Sequence, residues 1–188
     1  MTPFCPIVWP EDPVPAEVQN CKICGLDTHG TRMVWGEGCP TAPIFVVLDN
    51  PGMRESREGE PFVCGTRKTL QEAAFHAGFG TEDLYVTYVL KRRPIRKYDK
   101  PATRRLCMRH LREQLLSRRP EMLFCLGDAA VQSVFDDPTL NVKSLRSTVH
   151  EIFSLPAVVS YHPLAVRRRP NLRTLFMKDW SYLYKLYK

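Results

Sequence analysis

The sequence predicts an α/β three-layer sandwich with a central four-stranded parallel sheet flanked by helices. Three observations carry that prediction. Four short runs, residues 43–49, 84–90, 121–126 and 157–161, are rich in Val, Ile, Leu and Phe with almost no polar alternation, the pattern of strands buried on both faces. Helical patterns separate the runs, so each strand returns parallel to the last through a crossover. The 188 residues, 44% hydrophobic, suffice for one well-buried core and are too few for two comfortable ones.

Taken in order, residues 1–20 carry five prolines and little periodicity, so they read as an extended N-terminal arm, and residues 21–188 read as a single domain. The strand at 43–49 leads through a loop to a helix at 66–77, and the strand at 84–90 to a helix at 101–118 that has Pro101 in its first turn, where a missing N–H costs nothing. The strand at 121–126 runs directly into a helix at 128–135. The strand at 157–161 precedes a closing helix at 172–187.

The formal charge of +7 favours an anionic partner, because Lys and Arg near phosphates gain free energy by releasing condensed counterions. Charge alone does not choose between nucleic acid and a membrane surface. No apolar run approaches the roughly twenty residues of a spanning helix, and the N-terminus is proline-rich and acidic rather than signal-like, so no membrane association is expected. The expectation is a soluble, cytoplasmic monomer, of a prokaryotic cell or nucleoid-associated. Seven cysteines is an odd number, and the Cys21-x2-Cys24 pair suggests metal chemistry more than disulfides. Cys125, within MLFCLG, reads as core.

Folds of this kind place ligands at the carboxyl ends of their parallel strands. The first predicted strand ends in Asp49-Asn50-Pro51-Gly52, the second in Lys91-Arg92-Arg93-Pro94, the third in Gly127-Asp128 and the fourth in His162-Pro163. Asp49 and Asn50 by themselves read equally well as turn formers before Pro-Gly.

The order and spacing of these segments resemble the uracil-DNA glycosylase superfamily, most closely its iron–sulfur-containing family 4. The pieces are Cys21-x2-Cys24, TRMVWGEGCPTAPIFVV, DNPGMRESREGEPFV, LYVTYVLKRRP, the helix bearing Cys107, LFCLGDAAVQ and SYHPLAV. Together they span nearly the whole chain from Cys21 onward. The chain departs from the family pattern at four places. Leu48-Asp49-Asn50-Pro51-Gly52 stands for Gly-Glu-Ala-Pro-Gly, Tyr88 for the Asn that reads the uracil edge, Cys64 for a glycine, and Arg92 for a cluster cysteine.

The resemblance implies a DNA glycosylase of base excision repair that flips a damaged base, most naturally uracil, and hydrolyses its glycosidic bond. Breaking that bond leaves positive charge on the sugar and negative charge on the base, so the site needs an aimed water and a donor to the base anion. Asp49, at the family's Glu position, and Asn50, which resembles the first motif of the mismatch-specific and single-strand-selective families, are alternatives for the water. His162 is the expected donor to the base oxygen. Phe62 is the expected stacking floor, because an extruded base must regain the stacking it lost. Tyr88 presents one hydroxyl where Asn presents a donor and an acceptor, which predicts a narrowed or altered base preference. Arg167, Arg168, Arg169 and Lys91 are the expected phosphate contacts.

The resemblance also implies a 4Fe-4S cluster held by Cys21, Cys24 and Cys107, with Arg92 at the fourth position. A structural zinc ion on Cys21, Cys24, His29 and Cys39 is the alternative set, and packing of the cysteines without metal is the third. A silent DNA-binding module of the same fold, or a glycosylase for another base, are the alternatives for the whole protein.

Overall fold

A computed structural model of the chain describes residues 4–53, 55–56 and 63–188. Seven strands form one mixed sheet in the order β1-β2-β4-β3-β5-β7-β6. Its centre is the expected parallel group, β3 (Ile44–Leu48), β4 (Leu84–Tyr88), β5 (Met122–Leu126) and β7 (Leu155–Ser160). Every residue of β3, β4 and β5 is buried, which is why those runs lack polar alternation.

Three short antiparallel strands extend the sheet beyond what the sequence predicts. On one edge β1 (Glu11–Asp12) pairs with β2 (Gly36–Gly38), which pairs with β4. On the other, β6 (His150–Ile152) folds back on β7 through Phe153 and Ser154, both at positive φ. Two- and three-residue strands such as Gly-Glu-Gly carry no readable period.

Helices cover both faces. Ile44, Val46 and Leu48 pack with α1 (Gly65–Ala77) and α6 (Arg173–Tyr187), and Trp180 makes edge contacts with Phe79, Phe124 and Phe176. Phe45 and Val47 face the opposite layer, formed by α2 (Lys100–Arg118) and α3 (Asp128–Val134). Burying each such Val, Leu or Phe contributes about 1.5–3 kcal/mol, and the alternation along β3 divides that gain between the two layers. Two short helices, α4 (Val142–Leu145) and α5 (Pro163–Arg168), complete the set.

The chain leaves β3 through α1 to reach β4 on one side, then returns through α2 to β5 on the other. The strand order reverses there, opening a crevice at the carboxyl ends of β3 and β5.

Candidate active site

A cleft of about 940 Å³ occupies that crevice. It brings together Asp49 and Asn50 after β3, Tyr88 at the end of β4, Gly127 and Asp128 after β5, and His162 after β7. Gly127 takes φ 93°, and a Cβ there would lie 2.8 Å from the Cβ of His162, so only glycine lets the two loops approach this closely.

Asp49 is gripped by Arg104 of α2, whose Nε and Nη2 each donate to one carboxylate oxygen at 2.9 Å. This side-by-side geometry fixes the carboxylate plane. Asn50 donates from Nδ2 to the carbonyl of Pro51 at 2.7 Å, which fixes its amide. Arg104 lies inside a helix 55 residues from its partner, and nothing in the sequence near Asp49 points to it.

His162 is the N-cap of α5, followed by Pro163. Its Nδ1 accepts the Leu164 N–H at 3.1 Å, so the proton resides on Nε2. Burial pushes its pKa down to about 4, although Asp49 pulls it the other way. The imidazole is therefore neutral at pH 7 and retains one N–H to donate.

Tyr88 is buried at the floor of the cleft, where its hydroxyl oxygen accepts from Nη2 of Arg67 at 2.9 Å. Arg67, also buried, pairs with Glu37 and lies 3.9 Å from Glu55. Burial raises the carboxyl pKa of Glu37 despite the guanidinium beside it, and it raises the Tyr88 phenol well above its usual range. Nη1 of Arg67 finds no hydrogen-bond partner among the described residues. Cys64 caps α1, its Sγ accepting from the Arg67 N–H at 3.3 Å, and its thiol donates to Glu55 at 3.2 Å. Arg67 and Glu55 lay outside the sequence expectations, being ordinary polar residues of a helix and a loop. Phe62 lies outside the described residues.

Of the four expected phosphate contacts, Arg167 and Arg168 are exposed on the cleft wall, and Arg169 is exposed just beyond, at the end of α5. The Arg167 guanidinium rests over Gly65 at the start of α1, in space a side chain there would fill. Lys91 requires a correction. It is wholly buried, its ammonium donating to Thr87 Oγ1 and Gln114 Oε1, both at 2.6 Å, and to the Trp35 carbonyl at 3.3 Å. It continues the inward face of β4 instead of opening the basic loop, and it cannot reach a phosphate. Burial pulls its pKa down to about 7.

Three of the seven cysteines, Cys21, Cys24 and Cys107, gather at one side of α2. Cys24 and Cys107 stand close enough for their thiols to interact, Cys107 accepts the Lys91 N–H at 3.5 Å, and Cys21 lies 3.4 Å from Nε2 of His110. Arg92 turns its guanidinium elsewhere, to the carbonyls of Thr31 and Gln19. Among the described residues no three Cys, His, Asp or Glu side chains converge tightly enough to enclose a single ion. The alternative zinc set is not assembled, since His29 Nδ1 accepts from the Ile95 N–H and Cys39 Sγ rests 3.4 Å from Thr41 Oγ1.

A family model described as "Uracil DNA glycosylase superfamily" matches residues 35–183. The chain belongs to that superfamily. It is 34% identical to the Type-4 uracil-DNA glycosylase of Archaeoglobus fulgidus over 178 residues, 90% of this chain and 89% of that protein. Against the Type-4 uracil-DNA glycosylase of Sulfurisphaera tokodaii it is 30% identical, covering 90% and 81% of the two chains. Its identity to the Thermotoga maritima enzyme of the same name is 28%, covering 88% of each. The superfamily's α/β fold is the one described above. No helix among the described residues is long and apolar enough to cross a membrane.

Proposed function

We propose that the chain is a monofunctional DNA glycosylase that excises uracil by hydrolysis, leaving an abasic site for base excision repair. The observation that carries this reading is the convergence, in one cleft of a uracil DNA glycosylase superfamily protein, of the Arg104-held carboxylate of Asp49, the amide of Asn50 and the neutral Nε2–H of His162. The base departs with the bonding electron pair, and His162 donates its N–H to the oxygen on which charge accumulates. A neutral donor suits this task, because it stabilises the anion without giving up a proton beforehand. Asn50, its Nδ2 held by Pro51, presents Oδ1 to align the water, and Asp49 lies where its charge opposes the cation developing on the sugar. The water adds hydroxide to the anomeric carbon, and its remaining proton reaches the released base through solvent. Arg167, Arg168 and Arg169 hold the flanking phosphates.

Excision from end-labelled single- and double-stranded oligonucleotides carrying uracil, hypoxanthine or xanthine tests this reading. Alkali-dependent scission that disappears in His162→Ala and in the Asp49→Ala, Asn50→Ala double variant is expected. Retained DNA binding without scission on any substrate would indicate a silent binding module.

One observation favours a second reading of the base itself. Arg67 and Tyr88 line the floor with donors, and Nη1 of Arg67 has no hydrogen-bond partner among the described residues, so the floor suits a base richer in acceptors than uracil. Preferential release of hypoxanthine or xanthine in the same assay would establish it.

The thiols fit an iron–sulfur centre in donor chemistry and in location. Cys21, Cys24 and Cys107 would hold it, and the N–H of Lys91 would hydrogen-bond a ligating sulfur. When bound, such a centre would cross-link the segment before β2 to α2; it lies apart from the cleft residues and takes no part in the hydrolysis. Iron and acid-labile sulfide at stoichiometric level in freshly purified protein test this part of the proposal.

A further inference from the structure

We propose that His110 is the fourth protein ligand of the metal centre, in place of the cysteine that Arg92 supplants. The inference rests on the iron–sulfur reading above and adds the donor which that reading leaves open.

Three observations carry it. Cys107 and His110 stand one helical turn apart on α2, both buried, and both face the Cys21–Cys24 segment. With Cys21-x2-Cys24 they make two donor pairs of identical spacing, Cys-x2-Cys and Cys107-x2-His110. Each member of one pair meets a member of the other: Cys24 with Cys107, and Cys21 with Nε2 of His110 at 3.4 Å.

The second observation concerns the imidazole's other nitrogen. Nδ1 of His110 lies 3.2 Å from Oε2 of Glu113, one turn further along α2. A carboxylate there accepts a hydrogen bond from Nδ1–H, the tautomer that leaves the Nε2 lone pair directed at the thiols. A ligating histidine is commonly oriented and made more basic by a carboxylate in this way. Trp35 packs edge-on against the ring, with centroids 5.6 Å apart, and limits its rotation.

Third, Arg92 is committed to other work. Its guanidinium bridges the carbonyls of Thr31 and Gln19, so the side chain at the expected fourth position is a brace between loops and supplies no lone pair. Arg92 therefore ties both ends of the segment that carries Cys21 and Cys24 to the loop after β4.

The test compares the full chain with His110→Ala and His110→Cys, all purified without oxygen. It reads iron and sulfide per chain, absorbance near 400 nm, and nitrogen hyperfine coupling in the electron paramagnetic resonance of the reduced protein. The expected result is stoichiometric iron with nitrogen coupling in the parent chain, loss of most iron in His110→Ala, and retained iron without nitrogen coupling in His110→Cys. Circular dichroism of the variants separates loss of the ligand from loss of the fold, and the folded, iron-loaded His110→Cys chain gives a readout even where His110→Ala is unstable. Stoichiometric iron with no nitrogen coupling, unchanged by either substitution, would overturn the role of His110 while leaving the three-thiolate centre standing. Absence of iron from the parent chain, or zinc in its place, would overturn the iron–sulfur reading itself.

Discussion

Asp49 offers both carboxylate oxygens to one guanidinium, so its position depends on a residue that touches neither water nor base. Arg104→Gln removes that grip. We expect kcat for uracil excision to fall about 100-fold, the usual consequence of misplacing a reacting group by about 1 Å, with Kd for DNA little changed. Single-turnover excision beside fluorescence-polarisation binding separates the two, and a matching loss of affinity would relocate Arg104 to the DNA contact. Tyr88→Asn tests the floor: a rise in uracil excision relative to hypoxanthine is expected, and no change would remove Tyr88 from the base pocket. At this scale the sequence revealed Asp49, Asn50 and His162 because the fold class predicts where strand ends gather, and Tyr88 only through the family resemblance, since its strand was expected to run on to Leu90. It did not reveal partners that arrive from helix interiors, Arg104 and Arg67, since neither lies in a recognisable motif. Lys91 misled for a related reason: a cationic run after a strand reads as a surface loop, although its first residue still points inward.

Individual elements carry their own consequences. One helix start was legible, that of α2 at Pro101, whereas α5 carries the same cap-and-proline signal and, at six residues, was not expected. Asp99 accepts the Ala102 N–H at 3.1 Å before Pro101, and His162 caps α5 before Pro163. The edge strands were not legible, because β1, β2 and β6 are pairing accidents of two or three residues whose partners are decided in three dimensions. Beneath the His162 loop, Asp179 of α6 is buried, accepting from Ser160 Oγ at 2.6 Å and from Arg146 at 2.5 Å. Asp179→Ala strands that guanidinium and hydroxyl at the end of β7. We expect destabilisation of about 3–5 kcal/mol, the range for breaking a buried ion pair from one side. Urea titration at pH 7 measures it, and a loss below about 1 kcal/mol would mean that solvent reaches the pair.

For the molecule as a whole, Lys91 and His162 are two groups whose titration contributes to the dependence on pH. The ammonium pKa of Lys91 lies at about 7 in the folded protein against 10.5 as its ordinary value, so between those limits the unfolded chain binds more protons and stability rises with pH. His162, lowered from 6.5 to about 4, acts likewise in the acid range, and its contribution is lost as pH falls from 6.5 toward 4. Melting temperature should therefore climb between pH 7 and 9, and Lys91→Met should flatten that climb while leaving DNA affinity unchanged. A climb that persists in the variant would assign it to another group. DNA binding itself should be carried by arginines: each of Arg167→Gln and Arg168→Gln should reduce the slope of log K against log salt by about 0.9 on duplex or about 0.7 on single strands. An unchanged slope would take that residue off the phosphates.

The packing of α6 against α1, with Trp180 at the centre of one core layer, also governs how the protein can be born. A ribosome adding roughly 5–20 residues per second exposes β3, α1 and β4 well before the segment that covers them is made. Until Trp180 and Leu183 clear the exit tunnel, Ile44, Val46 and Leu70 lack the cover of α6, and the nascent chain presents an open apolar face. Folding of this layer waits for α6, which makes the emerging chain a natural client for chaperones.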